Sequence, residues 1–343
     1  MSVINDRTSL PVLFLYNVDP SWPAADIDES IREAEMLDSG MQALGHPVTR
    51  VEVNQTDLEG LLRPYSPEDY IVFNWCEGLP GIPHSWVQVV VTLESLDYVY
   101  TGSPSAVLAL SDDKPRVKRL LDARRVPTPR WRVYKTSAPS AWSLFPAIVK
   151  PAEEHSSLGV SSEAVVTSPA ELRHRIEYVL DTFHQPALVE DFIDGREFHV
   201  SLWGNGKIEM LPVAEMDFSA FGDIHDRLCT YDAKFDAQST AYREIGLNLP
   251  APLEPEELRT LERVAVKAFR AIGCRDYARL DIRLRDGVFY VLDVNPNADI
   301  TSEASFAYSA SADGYSFGAM GSRLVNLAAL RSPQFAPPEP VAA

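Results

Sequence analysis

The chain has 343 residues, enough for two to three domains with a substantial hydrophobic core. Its 31 basic and 49 acidic residues give a formal net charge of −18, which argues against nucleic acid and anionic membranes as partners. Hydrophobic residues make up 45% of the chain, as in ordinary globular proteins, and no apolar run approaches the roughly 20 residues that a membrane span needs.

The N-terminal part of the sequence alternates apolar strands with helices. The first strand, at 11–18, follows an aspartate and has no signal-peptide pattern, which predicts a cytoplasmic protein. A polar loop at 21–30 precedes a helix at 31–45. Further strands and helices are predicted at 48–53, 69–79, 85–96 and 98–111. This alternation predicts a parallel α/β layer over roughly residues 1–110.

The rest of the sequence mixes strands and helices less regularly, which predicts an α+β arrangement. Helices are predicted from Lys114, at 169–183, at 255–272 and near 316–330. Strands are predicted at 145–151, at 185–204 with a hairpin turn at 194–198, and at 278–294. The widely spaced cysteines, Cys76, Cys229 and Cys274, favour buried thiols over a zinc site or a disulfide framework.

Two of these strands, 278–284 and 288–294, are joined by the loop 285–287. A three-residue loop that ends in glycine fits a type I turn with a G1 bulge, and this register pairs Arg279 with Asp293. The polar residues that it gathers on one face are Arg279, Asp281, Asp293 and Asn295. The residues then expected to face the core are Leu280, Ile282, Tyr290 and Leu292. A two-residue Asp–Gly loop would instead turn Asp293 away from Asp281.

Two carboxylates and an amide, without histidine or cysteine, form a set of hard oxygen ligands. Such a set suits Mg²⁺ or Mn²⁺, usually together with phosphate oxygens. The alternative is a cross-strand ion pair between Arg279 and Asp293 among otherwise solvated side chains. Spacing alone leaves both interpretations open.

A few charged residues stand out because an acidic chain that binds phosphate must concentrate its lysines locally. Lys150 ends an apolar strand, whereas surface solubility is the simpler interpretation of Lys114 and Lys234. The loop after Lys150 contains Ser156 and Ser157, which could offer hydroxyl groups to phosphate. Neither common phosphate-loop fingerprint matches it.

Two glutamates, Glu190 and Glu197, bracket the segment DFIDGR. They could hydrogen-bond a ribose or an adenine amino group. Solubilising charges at the end of a hairpin are the simpler interpretation of the residues taken alone.

Taken in order, these segments resemble the ATP-grasp superfamily, and specifically the D-alanine–D-alanine ligase family. The segments that carry the resemblance lie around 102–114 and at 147–160, 188–204, 231–235 and 277–302. Each match alone is weak, but five matches in the same order with similar gaps are specific.

The resemblance implies an ATP-grasp fold, with an N-terminal parallel α/β domain and ATP between the central and C-terminal domains. The implied domains are 1–110 on the substrate side, 111–193 as the central lid, 194–331 with the metal site, and a disordered tail at 332–343. The residues implied to bind ATP are Lys114, Lys150, Ser157, Glu190, Asp191, Phe192, Ile193 and Glu197. The implied Mg²⁺ ligands, for two ions, are Asp281, Asp293 and Asn295. The residues implied in catalysis are Arg279, Ser156 and Lys234.

The implied activity is ATP-dependent ligation of an amino-acid or small-peptide carboxylate to an amine through an acyl phosphate. The resemblance is also compatible with a homodimer. The N-terminal part departs from the family, because 73–83 replaces its HGxxGEDG stretch and Arg32 aligns with a glutamate that holds the substrate amino group. Asp299 aligns with a glycine that supplies an oxyanion N–H. These departures favour substrates other than two D-alanines. The alternatives are a true D-alanine–D-alanine ligase and a nucleotide-binding protein without activity.

Overall fold

The computed structural model describes residues 6–137, 142–154, 158–230, 239 and 243–336. Three β-sheets organise this part of the chain. The first is formed by the N-terminal residues, the second by the middle of the chain, and the third by the C-terminal part.

The first sheet is parallel throughout, which confirms the α/β layer predicted for this part. Its strands, in the spatial order β2–β1–β3–β4, are β1 (Val12–Asn17), β2 (Val48–Val53), β3 (Ile71–Trp75) and β4 (Val99–Tyr100). Its helices are α1 (Ala24–Leu44), α2 (Leu58–Leu62), α3 (Trp86–Ser95) and α4 (Ser105–Ser111). Every residue of β1 is buried, as expected of a central parallel strand that is covered on both faces.

Helix α1 begins earlier than predicted, so the prediction of a polar loop at 21–30 is wrong over most of its length. Pro23 immediately precedes the helix, where its missing N–H costs nothing, and Asp26 lies in the positively polarised first turn. The polar residues form the outer face of an amphipathic helix, whose inner face buries Ala34 and Leu37.

The second sheet is antiparallel and carries helix α6 on one face. Its strands, in the order β5–β8–β6–β7, are β5 (Trp131–Tyr134), β6 (Ala147–Pro151), β7 (Val165–Val166) and β8 (Ala187–Asp191). The helices here are α5 (Lys114–Ala123), α6 (Pro169–Phe183) and a 3₁₀ turn at Ser162–Ala164.

The third sheet is also antiparallel. Its strands are β9 (Arg196–Gly204), β10 (Glu209–Met210), β11 (Ala214–Asp217), β12 (Gly246–Asn248), β13 (Asp276–Arg285) and β14 (Val288–Pro296). The helices are α7 (Pro255–Ile272), α8 (Ser305–Ala312), α9 (Phe317–Ala329) and a 3₁₀ turn at Ile224–Asp226. The predicted hairpin at 194–198 is wrong, because β8 and β9 belong to different sheets and this segment connects the sheets.

The hairpin of β13 and β14 has a different register from the predicted one. Arg285 pairs with Val288, so the loop contains only Asp286 and Gly287, both with positive φ as a type I′ turn requires. A β-bulge between Asp281 and Ile282 then shifts the register by one residue. Because of the bulge, Asp293 lies on the same face of the hairpin as Asp281, which a two-residue loop alone would not allow.

The polar face of this hairpin is nevertheless the predicted one. Asp281 lies directly opposite Asp293, and Arg279 lies opposite Asn295. Leu280 and Ile282 face the core as predicted, but Tyr290 and Leu292 do not. The core positions of β14 are instead Phe289, Val291 and Val294, because the bulge changes which residues alternate inward.

Helices α1 and α9 cross at two glycines. A β-carbon added to Gly318 would overlap the main-chain carbonyl group of Gly40, closer than packed atoms approach. We therefore expect Gly318→Ala to force the helices apart and to cost about 1–3 kcal/mol of stability, as overpacking does. Thermal unfolding measures the loss.

Gly321→Ala on the same helix is the matched control for Gly318→Ala. Its added carbon would meet the end of the Leu37 side chain at 2.9 Å, and that flexible side chain can move. An equal loss of thermal stability in both variants would contradict the close backbone crossing as the cause.

The domain boundaries at 110, 193 and 331 stay predictions, and residues 337–343 of the tail lie outside the described residues. Among the described residues, no helix has both the length and the apolar character that spanning a membrane requires.

Candidate active site

A cavity of about 430 Å³ is lined by residues from all three sheets. It brings together every predicted site residue that lies in the described part of the chain: Lys114, Lys150, Glu190, Asp191, Phe192, Ile193, Glu197, Arg279, Asp281, Asp293 and Asn295. Ser156, Ser157 and Lys234 lie outside the described residues. Residues that are far apart in sequence thus share one concave site.

The acidic face of the β13–β14 hairpin forms one wall of the cavity. Arg279 donates two hydrogen bonds to the carboxylate of Asp281, at 2.8 and 3.2 Å. The side-chain amide of Asn295 donates to the same carboxylate at 3.2 Å. Two carboxylates directly opposite each other repel, so Asp281 and Asp293 need cations close by.

Asp293 receives its cation from Lys114, whose Nζ lies 3.4 Å from Oδ2 of the aspartate. Lys114 is the first residue of helix α5, and the Asp113 side chain caps this helix by accepting from the Arg116 N–H. Arg279 pairs with Asp281 instead of Asp293, so the alternative of an Arg279–Asp293 ion pair is wrong.

A second charged group is buried behind this wall. Glu190 lies between two lysines, with Lys118 Nζ at 2.7 Å and Lys150 Nζ at 2.5 Å from its two carboxylate oxygens. Ile148 lies opposite Glu190 in the sheet, so Lys150 is its diagonal neighbour on the same face. Lys118 also donates to the main-chain carbonyl of Leu292, the bulge residue.

The pKa values of this group follow from burial and from the charges around it. Burial raises the pKa of Glu190, but the two lysines outweigh burial and hold it below its ordinary value. Burial lowers the pKa of Lys118, and Glu190 does not fully offset that effect. Burial also lowers the pKa of Lys150, but Glu190 and then Asp293 outweigh it and raise the pKa overall.

The other predicted glutamate forms a further buried ion pair. Glu197 lies opposite Arg283 on neighbouring strands, and Arg283 Nε donates to its carboxylate at 2.6 Å. Arg283 also donates to the carbonyl of Ile193 at 2.9 Å and lies over the ring of Phe192. Asp191 accepts from Arg285. These contacts fix the segment between the second and third sheets.

The simpler interpretations of several charged residues as surface charges are therefore wrong. Lys114 is 8% exposed, Glu190 is 1% exposed and Glu197 is 5% exposed. Buried charges are costly unless they are paired, and each of these three has an ion-pair partner.

Sequence reasoning missed Lys118, Arg283 and a cluster next to Glu197. Lys118 lies one helical turn after Lys114, and Arg283 continues the alternation of Arg279 and Asp281, so both periodicities could have identified them. The cluster consists of Glu197, His199 and Cys229, whose ligand atoms lie within 4.8 Å of one another. Cys229 comes close to Glu197 and His199 only in the folded chain, so the spacing of these residues in the sequence does not indicate the cluster.

The cavity lining also includes Glu77 and Asp299, which lie where the sequence is predicted to depart from the family. Glu77 follows β3 and lines the cavity, as do Tyr277 and Asp299. Burial among the cavity walls, and then the charge of Asp299, raise the pKa of Glu77 to about 7, although the carboxylate itself opens into the cavity. Arg32 lies elsewhere, on the exposed face of α1 beside Glu29.

This arrangement can perform chemistry on a charged, oxygen-rich substrate. Lysines, arginines and opposed carboxylates at one end provide both cations and hard oxygen ligands for phosphate and metal. Glu77 and Asp299 add further carboxylates to the lining of the same cavity.

Comparisons with known proteins agree with this geometry. A family model described as the D-ala D-ala ligase C-terminus matches residues 129–326, more than half of the chain. The "Uncharacterized protein y4sG" of Sinorhizobium fredii is 32% identical over 314 residues, which cover 90% of this chain and 88% of that protein. The D-alanine–D-alanine ligase of Pseudothermotoga lettingae is 31% identical over 84% of this chain and 90% of its own length.

A solved structure shares the fold. The D-alanine–D-alanine ligase of Bacillus anthracis complexed with ATP superposes with a TM-score of 0.70 at 18% sequence identity. The superposition covers 93% of this chain and 97% of that chain, which confirms the predicted ATP-grasp fold. The chain therefore belongs to the D-alanine–D-alanine ligase family and is an ATP-dependent ATP-grasp ligase that joins a carboxylate to an amine.

Proposed function

We propose that this ligase uses Mg²⁺-ATP to activate a small carboxylate as an acyl phosphate and joins it to an amine other than D-alanine. The observation that carries the proposal is the cavity itself. The cavity gathers Lys114, Lys150, Asp281 and Asp293, and it is also lined by Glu77 and Asp299, which lie in segments predicted to depart from the family pattern.

The donor set fits magnesium. Asp281 and Asp293 lie directly opposite each other, and Asn295 is the third oxygen-bearing side chain on the same face. These side chains would hold Mg²⁺, which would supply positive charge next to the phosphoryl group in transfer. The hard oxygen ligands and the repulsion between the two carboxylates both favour a divalent cation at this wall.

The remaining charged residues have roles that follow from their positions. Lys150 and Lys114 carry positive charge into the cavity, where they would bind ATP phosphates. Arg279 retains N–H groups beyond the two that bond Asp281, and these would hold the oxyanion that forms when the amine attacks. Ser156, Ser157 and Lys234 lie outside the described residues, so ATP binding by Ser157 and catalysis by Ser156 and Lys234 stay predictions.

Substrates other than two D-alanines are favoured by the carboxylates of Glu77 and Asp299 in the cavity lining. A carboxylate approaching Glu77 and Asp299 meets like charge, whereas an amine does not. Arg32, which aligns with the family's amine-binding glutamate, is paired with Glu29 outside the cavity. The second candidate, a true D-alanine–D-alanine ligase, is favoured by the identity of the sequence relatives.

The test is a product search by mass spectrometry. The full-length protein is incubated with ATP, Mg²⁺ and a mixed library of amino acids, short peptides and amines, with D-alanine alone as a separate arm. We expect ADP, phosphate and a new condensed product from the library, and little product from D-alanine alone. Efficient turnover of D-alanine would establish the second candidate.

The absence of ADP release across the whole library would support the third alternative, a nucleotide-binding protein without activity. The cytoplasmic location and the homodimer stay predictions. Size-exclusion chromatography with light scattering tests the dimer directly.

A further inference from the structure

Three side chains next to the β13–β14 hairpin form a mixed cluster of carboxylate, imidazole and thiol groups. They are Glu197, His199 and Cys229, and each offers one ligand atom within 4.8 Å of the other two. Nε2 of His199 lies 3.9 Å from Oδ1 of Asp281, so the cluster is directly beside the predicted Mg²⁺ ligands. Among the described residues, this is the one group of three or more such side chains that is close enough to hold a metal ion.

Strand β9 aims two of the three groups at one place. Glu197 and His199 are two residues apart on this strand, so both side chains lie on the same face of the sheet. Nε2 of His199 lies 3.8 Å from Oε1 of Glu197. Ligand atoms around a tetrahedral zinc ion lie about 3.3–3.7 Å apart, because zinc–ligand bonds are about 2.0–2.3 Å long. The pair therefore needs little movement to bind one metal ion.

The other polar atoms of these two side chains have partners that orient them. The Ser305 hydroxyl lies 2.8 Å from Nδ1 of His199, so it can accept a hydrogen bond from Nδ1–H and leave the Nε2 lone pair for a metal. Oε2 of Glu197 accepts from Arg283 Nε at 2.6 Å, whereas Oε1 lies on the side of His199. Metal-binding residues commonly have such outer partners, which fix the orientation of the ligand.

Cys229 reaches the cluster from a segment that is anchored by the same arginine. Arg283, which bonds Glu197, also donates to the main-chain carbonyl of Arg227. Leu228 is buried in a small hydrophobic cluster. Cys229 itself is half-buried and lines the cavity, so a metal ion that enters the cavity can reach its thiol.

The chemistry of the three ligands suits zinc and not magnesium. Thiolate and imidazole are ligands that zinc prefers, whereas magnesium takes oxygen ligands in octahedral geometry. The carboxylate and the thiolate carry two negative charges, which match those of a divalent cation. Three protein ligands leave the fourth position of a tetrahedral ion open. Because Glu197 and Cys229 line the cavity, water or a substrate oxygen can fill that position.

We infer that Glu197, His199 and Cys229 form a second metal site, which binds Zn²⁺ and thereby competes with ATP. The ligands differ from the all-oxygen set of the hairpin, so zinc binds this site in the presence of Mg²⁺. Glu197 is predicted to bind ATP, and zinc bound to its carboxylate withdraws it from the nucleotide. Zinc binding does not rest on the proposed function, whereas the competition rests on it in placing ATP in this cavity.

Zinc binding is tested without turnover. The full-length protein, in a thiol-free reducing buffer with excess Mg²⁺ to occupy the oxygen ligands, is titrated with Zn²⁺ against a chromophoric chelator of known affinity. We expect one zinc ion per chain with a dissociation constant of about 1 µM or lower. Cobalt(II) in place of zinc is expected to give sulfur-to-metal charge-transfer absorption in the near ultraviolet, since Cys229 is a ligand.

Cys229→Ser and His199→Gln are each expected to weaken zinc binding at least about tenfold, and Cys229→Ser to abolish the cobalt absorption. Cys274→Ser is the matched control, because Cys274 belongs neither to the cluster nor to the cavity lining. Thermal unfolding midpoints show which variants are folded, and one folded ligand variant suffices. No zinc binding to the wild type, or wild-type zinc affinity in a folded ligand variant, would overturn the site.

The competition is measured with a fluorescent, non-hydrolysable ATP analogue and Mg²⁺. At a free zinc concentration about ten times the dissociation constant, we expect the wild type to lose about tenfold in affinity for the analogue, and Cys229→Ser at most about twofold. Chelation of zinc by the analogue affects both proteins equally, so the difference between them reports the site. An analogue affinity of the wild type that zinc does not change would overturn the competition.

These outcomes are separate from those of the proposed function, because zinc binding is measured without substrates. A protein that releases ADP in the product search but does not bind zinc would overturn the metal site alone. A protein that binds zinc through Cys229 but releases no ADP with any substrate would overturn the ligase proposal alone.

Discussion

Asp293→Asn is expected to reduce the turnover number of the ligase by at least about 100-fold. Asp293 lies directly opposite Asp281 and pairs with Lys114, so the substitution removes one of the two charges that would hold Mg²⁺ against the phosphates. Metal-based stabilisation of a transferring phosphoryl group is worth several kcal/mol, and each 1.36 kcal/mol corresponds to tenfold in rate. The shape of the side chain is kept, so packing changes little.

The measurement is ADP release at saturating ATP, with the Mg²⁺ concentration varied. Asp286→Asn is the matched control, because Asp286 lies in the turn of the same hairpin, is exposed, and has a positive φ that asparagine also tolerates. We expect the control variant to retain wild-type turnover. Equal activity of the Asp293 variant and the wild type would contradict the assignment of the metal wall.

Glu190→Gln is expected to reduce the stability of the protein by about 3–5 kcal/mol. Glu190 is 1% exposed and neutralises both Lys118 and Lys150. A neutral amide would leave two buried ammonium groups without their ion-pair partner, which costs more than the ion pairs themselves contribute. The urea midpoint, followed by tryptophan fluorescence, measures the loss.

The stability difference between the wild type and this variant should depend on pH. Because the folded-state pKa of Glu190 is lowered, its contribution is present above the pKa of an unfolded glutamate, about 4.3, and is lost as pH falls through the folded-state value. The two midpoints should therefore converge in acid. Glu29→Gln is the control, because Glu29 forms an exposed ion pair with Arg32 and should change stability by less than about 1 kcal/mol.

A Glu190 variant as stable as the wild type at neutral pH would mean that the lysines find other partners. Lys118 already has other hydrogen-bond partners, because it donates to the Thr128 hydroxyl and to the carbonyl of Leu292. If Glu190→Gln does lower the stability, substituting Lys118 by methionine in that background tests whether the unpaired lysine is the cause. Recovery of stability in the double variant would identify the uncompensated lysine as the cause.

Elements with strong local periodicity could be predicted from the sequence. Helix α7 was predicted at 255–272 and observed at the same residues, because its apolar spacing is flanked by Pro255 and Gly273. Strand β1 was predicted within one residue at each end. The start of α1 was not predicted correctly, because the acidic residues before Ile31 are typical of a loop as well as of the outer face of a helix.

The site was predicted where it depends on alternation and missed where it depends on pairing between distant segments. Period two places Asp293 and Asn295 on one face, but Asp281 shares that face only because the bulge offsets a two-residue turn that the sequence did not predict. Burial of Glu190 between Lys118 and Lys150 depends on α5, β6 and β8 meeting, which no local pattern encodes.

The bulge at Leu292 restricts how the length of this hairpin can change. Each residue gained or lost between Ile282 and Val291 turns the chain beyond it by half a strand period. A change by one residue would turn Asp293 to the side where Val294 now faces the core. A change by two residues would return Asp293 to the cavity. The segment can therefore vary in length among functional relatives only in even steps, unless a second bulge compensates. Deleting Leu292 itself would instead bring Asp293 directly after Val291 and opposite Asp281, so the hairpin would lose its bulge and keep its polar face.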